Sequence, residues 1–190
     1  MIQIQELIKH FVLGIVSLFI INITMAEDIK IKDFNEVIQE VKEEYAKDSF
    51  EYSIPNALIL TVATGETGRM KFKGAPTAQE ANNFFGIHAT QGDNFLTTKQ
   101  GAKLTKYDSP ADSVRGFINL IKTGTAYKGV RKAIETEQPI ENVFMNMGRY
   151  AEREDYPQFL LNIYKATVHN ILNPVLPKRK PIIDQMKNLQ

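Results

Sequence analysis

The strongest chemical signal in this sequence is a glutamate placed at the end of an apolar run. Residues 53–69 read Ser-Ile-Pro-Asn-Ala-Leu-Ile-Leu-Thr-Val-Ala-Thr-Gly-Glu-Thr-Gly-Arg. Burial of Glu66 would disfavour its ionised form, and the partial negative charge at a helix C-terminus acts in the same direction. A glutamic acid that keeps its proton near neutral pH can protonate a leaving group. The plain alternative is a solvated residue at a helix end, so the rest of the chain has to decide between the two.

Other chemistries are poorly supplied. His10 lies in the first apolar segment, and His88 and His169 have no ligand spacing such as His-Glu-x-x-His, so no metal site and no cofactor are expected. The serines lack a Gly-x-Ser-x-Gly turn. Gly65-Glu66-Thr67-Gly68 is too short for a phosphate loop and is not followed by Lys-Ser/Thr. Carboxyl acid chemistry of the kind used in glycoside cleavage is what survives.

A helix must deliver that acid. Ser53 and Pro55 supply start signals, and Ala57, Leu58, Ile59, Leu60, Val62 and Ala63 leave almost no polar face, the pattern of a helix surrounded by protein. Gly68 stops it. Upstream, Asp33–Lys47 reads as an amphipathic helix with a stripe of Phe34, Val37, Ile38, Val41 and Tyr45, and Asp33 with Glu36 suggests a capping box. Between Gly74 and Asp108 the helical period gives way to turns and alternation. Phe85–Ile87, Phe95–Thr98 and Lys103–Tyr107 are expected to be three short strands. Helices resume at Ser109-Pro110-Ala111-Asp112, continue through 126–134 and from Pro139, and end in a long one from Tyr156 to Leu172. The reading is α+β, a mainly α-helical domain with a small antiparallel β-lobe inserted.

At 190 residues, 43% hydrophobic and net charge +1, the chain suits one domain with a real core and carries no concentrated basic balance of the kind nucleic-acid binders use. Residues 1–26 read as a secretory signal, with Lys9 and His10 before an apolar run from Phe11 to Ile23 and small residues at Thr24-Met25-Ala26. An uncleaved anchor is the alternative, although the run is short for a span of about 20 residues. Cysteine is absent. The expected organisation is a signal at 1–26, a working domain at 27–172 and a basic tail at 173–190, exported to the periplasm or cell envelope and monomeric, with no membrane span in the mature chain.

Six short blocks carry a family resemblance. Glu66-Thr67-Gly68 after Ala57–Leu60, then Asn82-Asn83-Phe84-Phe85-Gly86-Ile87, resemble the Glu-Ser-Gly and Asn-Asn-Leu-Phe-Gly-Ile blocks of bacterial glucosaminidases of glycoside hydrolase family 73. Tyr107-Asp108-Ser109-Pro110, Ser113-Val114-Arg115, Ala126-Tyr127 and Tyr150-Ala151-Glu152-Arg153-Glu154-Asp155-Tyr156 resemble its Bax-type members. The resemblance implies a lysozyme-like fold and cleavage of the β-1,4 bond after N-acetylglucosamine in peptidoglycan. It implies Glu66 as general acid, Tyr150 as the cleft tyrosine, and substrate contacts from Asn83, Phe85, Gly86, Ile87 and Tyr156. Core packing is the alternative for Phe85, and core packing with a tethered hydroxyl is the alternative for Tyr150 and the preferred role for Tyr156.

The chain departs from that pattern in two places. Arg69 stands where the family usually has tryptophan, and could lower the pKa of Glu66 by turning inward. Thr97-Thr98-Lys99 stands where some relatives carry a second acid. Asp93 is the nearest lobe carboxylate for an inverting mechanism, though Gly92-Asp93-Asn94 also suits a turn. The expectation is therefore assistance by the substrate's own acetamido oxygen, with Glu66 as the indispensable protein acid. The competing readings are a lytic transglycosylase, a wall-binding module that has lost activity, and a structural helical adaptor.

Overall fold

The computed structural model describes residues 30–72 and 74–174. The signal read from sequence at 1–26, and the basic tail read at 173–190 apart from Asn173 and Pro174, lie outside the described residues.

Helix α1, Ile31–Glu43, buries Phe34, Ile38 and Val41. Its N-cap residue is Lys30, with no capping side chain, so Asp33 sits inside the first turn and not at the head of a capping box. A short helix α2, Phe50–Ser53, follows with Ser49 as its cap. The central helix α3, Asn56–Glu66, begins after Pro55, an extended N-cap residue whose fixed φ suits the entry. Ser53 takes no part in capping α3, because its hydroxyl donates back to the Phe50 carbonyl at 2.7 Å. Residues Leu58–Thr64 of α3 are all buried. They are surrounded by α1 and by the helices of the C-terminal half, which is why this segment needs no polar face.

After α3 come α4, Pro76–Glu80, and the lobe strands β1, Phe95–Thr97, and β2, Lys103–Thr105, paired antiparallel with Leu96 opposite Leu104. The third strand expected at Phe85–Ile87 is not formed. Gly86 has φ +63 there, which breaks extended backbone, and only His88 bridges to Leu104.

Helix α5, Pro110–Thr123, starts at the expected signal: Ser109 Oγ accepts from Asp112 N at 3.2 Å and donates to Asp112 Oδ2 at 2.6 Å. Replacing Ser109 by Ala should cost about 1 kcal/mol of stability. Chemical denaturation would show the loss, and activity should stay unchanged because Ser109 is not among the residues that line the cleft in front of Glu66. A 3₁₀ turn at Thr125–Tyr127 leads to α6, Lys128–Glu135, then α7, Ile140–Met145, and α8, Tyr156–Ile163. The long last helix read from sequence is not uniform, since Tyr164–Val168 is π-helical before α9, His169–Leu172. Helix α3 packs against α1, α7, α8 and the π-helical turn, so the acid leaves the middle of the core and not an outer surface.

Candidate active site

Glu66 is the last residue of α3, and the backbone turns sharply beyond it. Gly68, Arg69 and Met70 have φ values of +57, +68 and +62. Consecutive left-handed residues are strained for side chains other than glycine and are held by their surroundings. Here Thr67 does the holding. Its hydroxyl donates to Ala63 O at 2.6 Å and accepts from Met70 N at 2.8 Å, while its carbonyl accepts from Phe72 N at 2.8 Å. The turn throws Arg69 outward into solvent and buries Met70 and Phe72, so apolar side chains two and four residues after Gly68 pack the interior next to this turn. Arg69 is not among the charges acting on Glu66.

The Asn-Asn-Phe-Phe-Gly-Ile block is the wiring between lobe and helices. Asn82 Nδ2 donates to the carbonyls of Tyr107 and Asp108. Asn83 is buried; its amide nitrogen donates to Ile87 O and Thr105 O, and its Oδ1 accepts from Ile87 N, all at 2.8–2.9 Å. Phe84 N donates to Ser113 Oγ at 3.1 Å. The Phe85 ring is fully buried, stacked on Phe117 at 4.5 Å between centroids. Gly86 then brings bare backbone under the acid: a Cβ at this position would lie 3.2 Å from Glu66 Oε2.

A cleft of about 620 Å³ opens in front of the carboxyl, lined by Glu66, Phe85, Gly86, His88 and the loop Gly148–Glu152. Its size suits a sugar-sized ligand. Tyr150 and Tyr156 stack face to face, 5.6 Å apart and 10° from parallel. Their hydroxyls have different tasks. Tyr150 donates to the Phe85 carbonyl at 2.6 Å, pinning the loop to the cleft wall. Tyr156, buried, donates to Glu66 Oε1 at 2.6 Å. The second tyrosine thus touches the acid, and the first shapes the cleft.

Burial pushes the Glu66 carboxyl above the ordinary glutamate range, while the Tyr156 hydroxyl and the Arg153 guanidinium pull it partly back. Desolvation and the neighbouring carboxylate hold the Tyr150 and Tyr156 hydroxyls well above their ordinary range, so both remain donors at any working pH. Arg153 is itself fixed by Asp155, with Nε–Oδ1 at 2.7 Å, and by the Phe159 ring 4.3 Å away. Removing the hydroxyl with Tyr156→Phe should shift the alkaline limb of the kcat–pH profile upward, because a bond that favours the ionised acid is gone. The same change should lower kcat by about tenfold through loss of orientation, and steady-state kinetics across pH would show both effects.

The remaining residues named from sequence fall outside the cleft. Asn83 and Ile87 support it from behind. Asp93 is in an exposed turn, its Oδ2 accepting from Thr90 N at 2.7 Å and Thr90 Oγ1 at 2.9 Å. Conversely, Arg149 and Glu152 line the cleft without having been named as site residues, and so does His88, which was weighed only as a metal ligand. Of these, Glu152 lay within a quoted block, and its place between Tyr150 and Arg153 was the available signal. Among the described residues, no group of three or more His, Cys, Asp or Glu side chains could hold a metal ion, and no helix is long and apolar enough to cross a membrane.

Comparison with solved structures reproduces this architecture. The peptidoglycan hydrolase from Sphingomonas sp. A1 superposes with a TM-score of 0.56 at 16% identity, over 79% of this chain and 99% of that one. The glycoside hydrolase domain of Salmonella typhimurium FlgJ gives 0.52 at 19% identity, over 84% and 99%. At these identities the likeness shows the fold, a lysozyme-like helical body with a small antiparallel sheet. Curated protein sequences yielded no match. The sequence model of the glucosaminidase family, described as mannosyl-glycoprotein endo-beta-N-acetylglucosaminidase, matches residues 42–168, from the end of α1 through the π-helical turn. That span contains the acid, its tyrosine partner and the whole cleft, and the chain belongs to the glucosaminidase family of glycosidases.

Proposed function

We propose that this protein is a peptidoglycan hydrolase that cleaves the β-1,4 bond after N-acetylglucosamine, with Glu66 as general acid. The observation that carries the reading is the Glu66 carboxyl itself. It is shielded on one side by the core, held by Tyr156, raised in pKa by burial, and open on the other side to the cleft above Gly86. A carboxyl so placed can give its proton to the departing glycosidic oxygen as the bond to the anomeric carbon breaks. The adaptor reading would have left the acid in bulk water with no groove before it. Glycan strands as substrate agree with the family and with the Sphingomonas neighbour, itself a peptidoglycan hydrolase. The apolar run at 11–23 supports export to the periplasm or envelope, where such strands are found, and the protein acts there as a monomer.

The test is digestion of purified sacculi. Reducing N-acetylglucosamine ends are expected; anhydro-muramic ends would make the enzyme a transglycosylase, and intact strands bound without cleavage would make it a binding module. Cell fractionation with size-exclusion of the released protein checks the location and the monomer.

A further inference from the structure

We propose that Glu152 is the base that activates the attacking water, so that hydrolysis proceeds with inversion. This rests on the glycosidase reading above. Lys99, at the lobe position where an acid could have stood, lines a different depression with Thr98, Gln100 and Leu104. Asp93 is spent on its own turn. Among the described residues lining the Glu66 cleft, the second carboxylate is Glu152.

Glu152 and Glu66 occupy contrasting environments within one cleft. Glu66 is shielded and hydrogen-bonded; Glu152 is exposed, and among the described residues no side chain is hydrogen-bonded or ion-paired to it. A carboxylate that lines a cleft and has no protein partner on its oxygens can hold a water by accepting its hydrogen. Its backbone is nevertheless well placed. Tyr150, two residues earlier, is tied to the Phe85 carbonyl, and Arg153, the next residue, is stacked on Phe159 and paired with Asp155. Arg153 is therefore engaged elsewhere and leaves the Glu152 oxygens to solvent and substrate. A pair of carboxyls in unlike surroundings is the arrangement that separates an acid from a base.

In the step so assigned, the water oxygen bonds to the anomeric carbon while one of its protons passes to Glu152. The bond from that carbon to the leaving oxygen breaks, and Glu66 supplies the proton that oxygen takes. Both carboxyls then exchange protons with solvent to reset.

The experiment uses the full chain and a soluble glycan fragment, with the first-formed anomer followed by NMR. The wild type should release the α-anomer from the β-linked substrate. Glu152→Gln should lose about 10²–10³-fold in kcat with KM little changed, Glu152→Asp should keep part of the activity, and azide should restore turnover of the Gln variant while forming an α-glycosyl azide. A β-anomer from the wild type would overturn the proposal and return the role to the substrate's acetamido oxygen. Glu152→Gln within about threefold of wild type, or an inactive Glu152→Gln that azide does not rescue, would also overturn it. Absence of any cleavage by the wild type is a different result, which would overturn the glycosidase reading instead.

Discussion

Replacement of Glu66 by Gln should abolish glycan cleavage, lowering kcat by about 10³-fold or more, and at the same time make the protein more stable near neutral pH. The first effect follows from loss of the proton donor in a site whose shape is otherwise kept, because Gln can still accept from Tyr156 Oη. The second follows from linkage. The folded state raises the Glu66 pKa above its ordinary value of 4.5, with burial as the largest cause. Over the interval between the unfolded and folded pKa values, the native protein holds a proton that the unfolded chain has released, so stability falls as pH rises through that interval and stays reduced above it. Gln carries no such penalty. Melting temperatures of the two proteins should therefore coincide near pH 4 and separate at pH 7–8, with the Gln variant higher. Equal melting temperatures at neutral pH would show that the acid is not held under strain, and retained cleavage would remove it from the mechanism.

The second large effect is expected at Gly86. An alanine there must adopt φ +63, which costs about 1 kcal/mol for a residue with a Cβ. It must also place that Cβ 3.2 Å from Glu66 Oε2, closer than ordinary contact allows. Since Glu66 is tethered by Tyr156 on its other oxygen, the carboxyl must yield against that bond by a few tenths of an ångström, a fraction of the roughly 1 Å misplacement that costs about 10²-fold in rate. Gly86→Ala should thus lose about tenfold in kcat with only about 1 kcal/mol of stability. Gly101→Ala is the control: its φ of +88 imposes the same backbone penalty, but nothing lies within 4 Å of the new Cβ, and activity should be unchanged. Equal loss of activity in both variants would mean that Gly86 matters only for folding.

The α3 helix and its acid were legible in the sequence because apolar residues on every side of a helical period admit only a buried helix, and because Gly68 marks the end of one. The start of α5 was legible for the same kind of reason: Ser109, Pro110 and Asp112 act through bonds within four residues. The Phe85–Ile87 strand failed because the alternation of types was right, while the backbone there answers to distant partners, Tyr150 on the Phe85 carbonyl and Thr105 on the Ile87 carbonyl. The break into a π-helical turn at Tyr164–Val168 carried no local mark either.

What the chain alone determined was the donor and the means of bringing it to the edge of a core, since those depend on interactions a few residues long. Which tyrosine holds the donor, which glutamate shares its cleft and which carboxylate is merely a turn were decided by contacts between residues up to 90 positions apart, as in Tyr156 on Glu66. Side-chain type is local information, but the surroundings that make one carboxyl a proton donor and leave another facing water arise only when α3, the lobe and the loop before α8 meet.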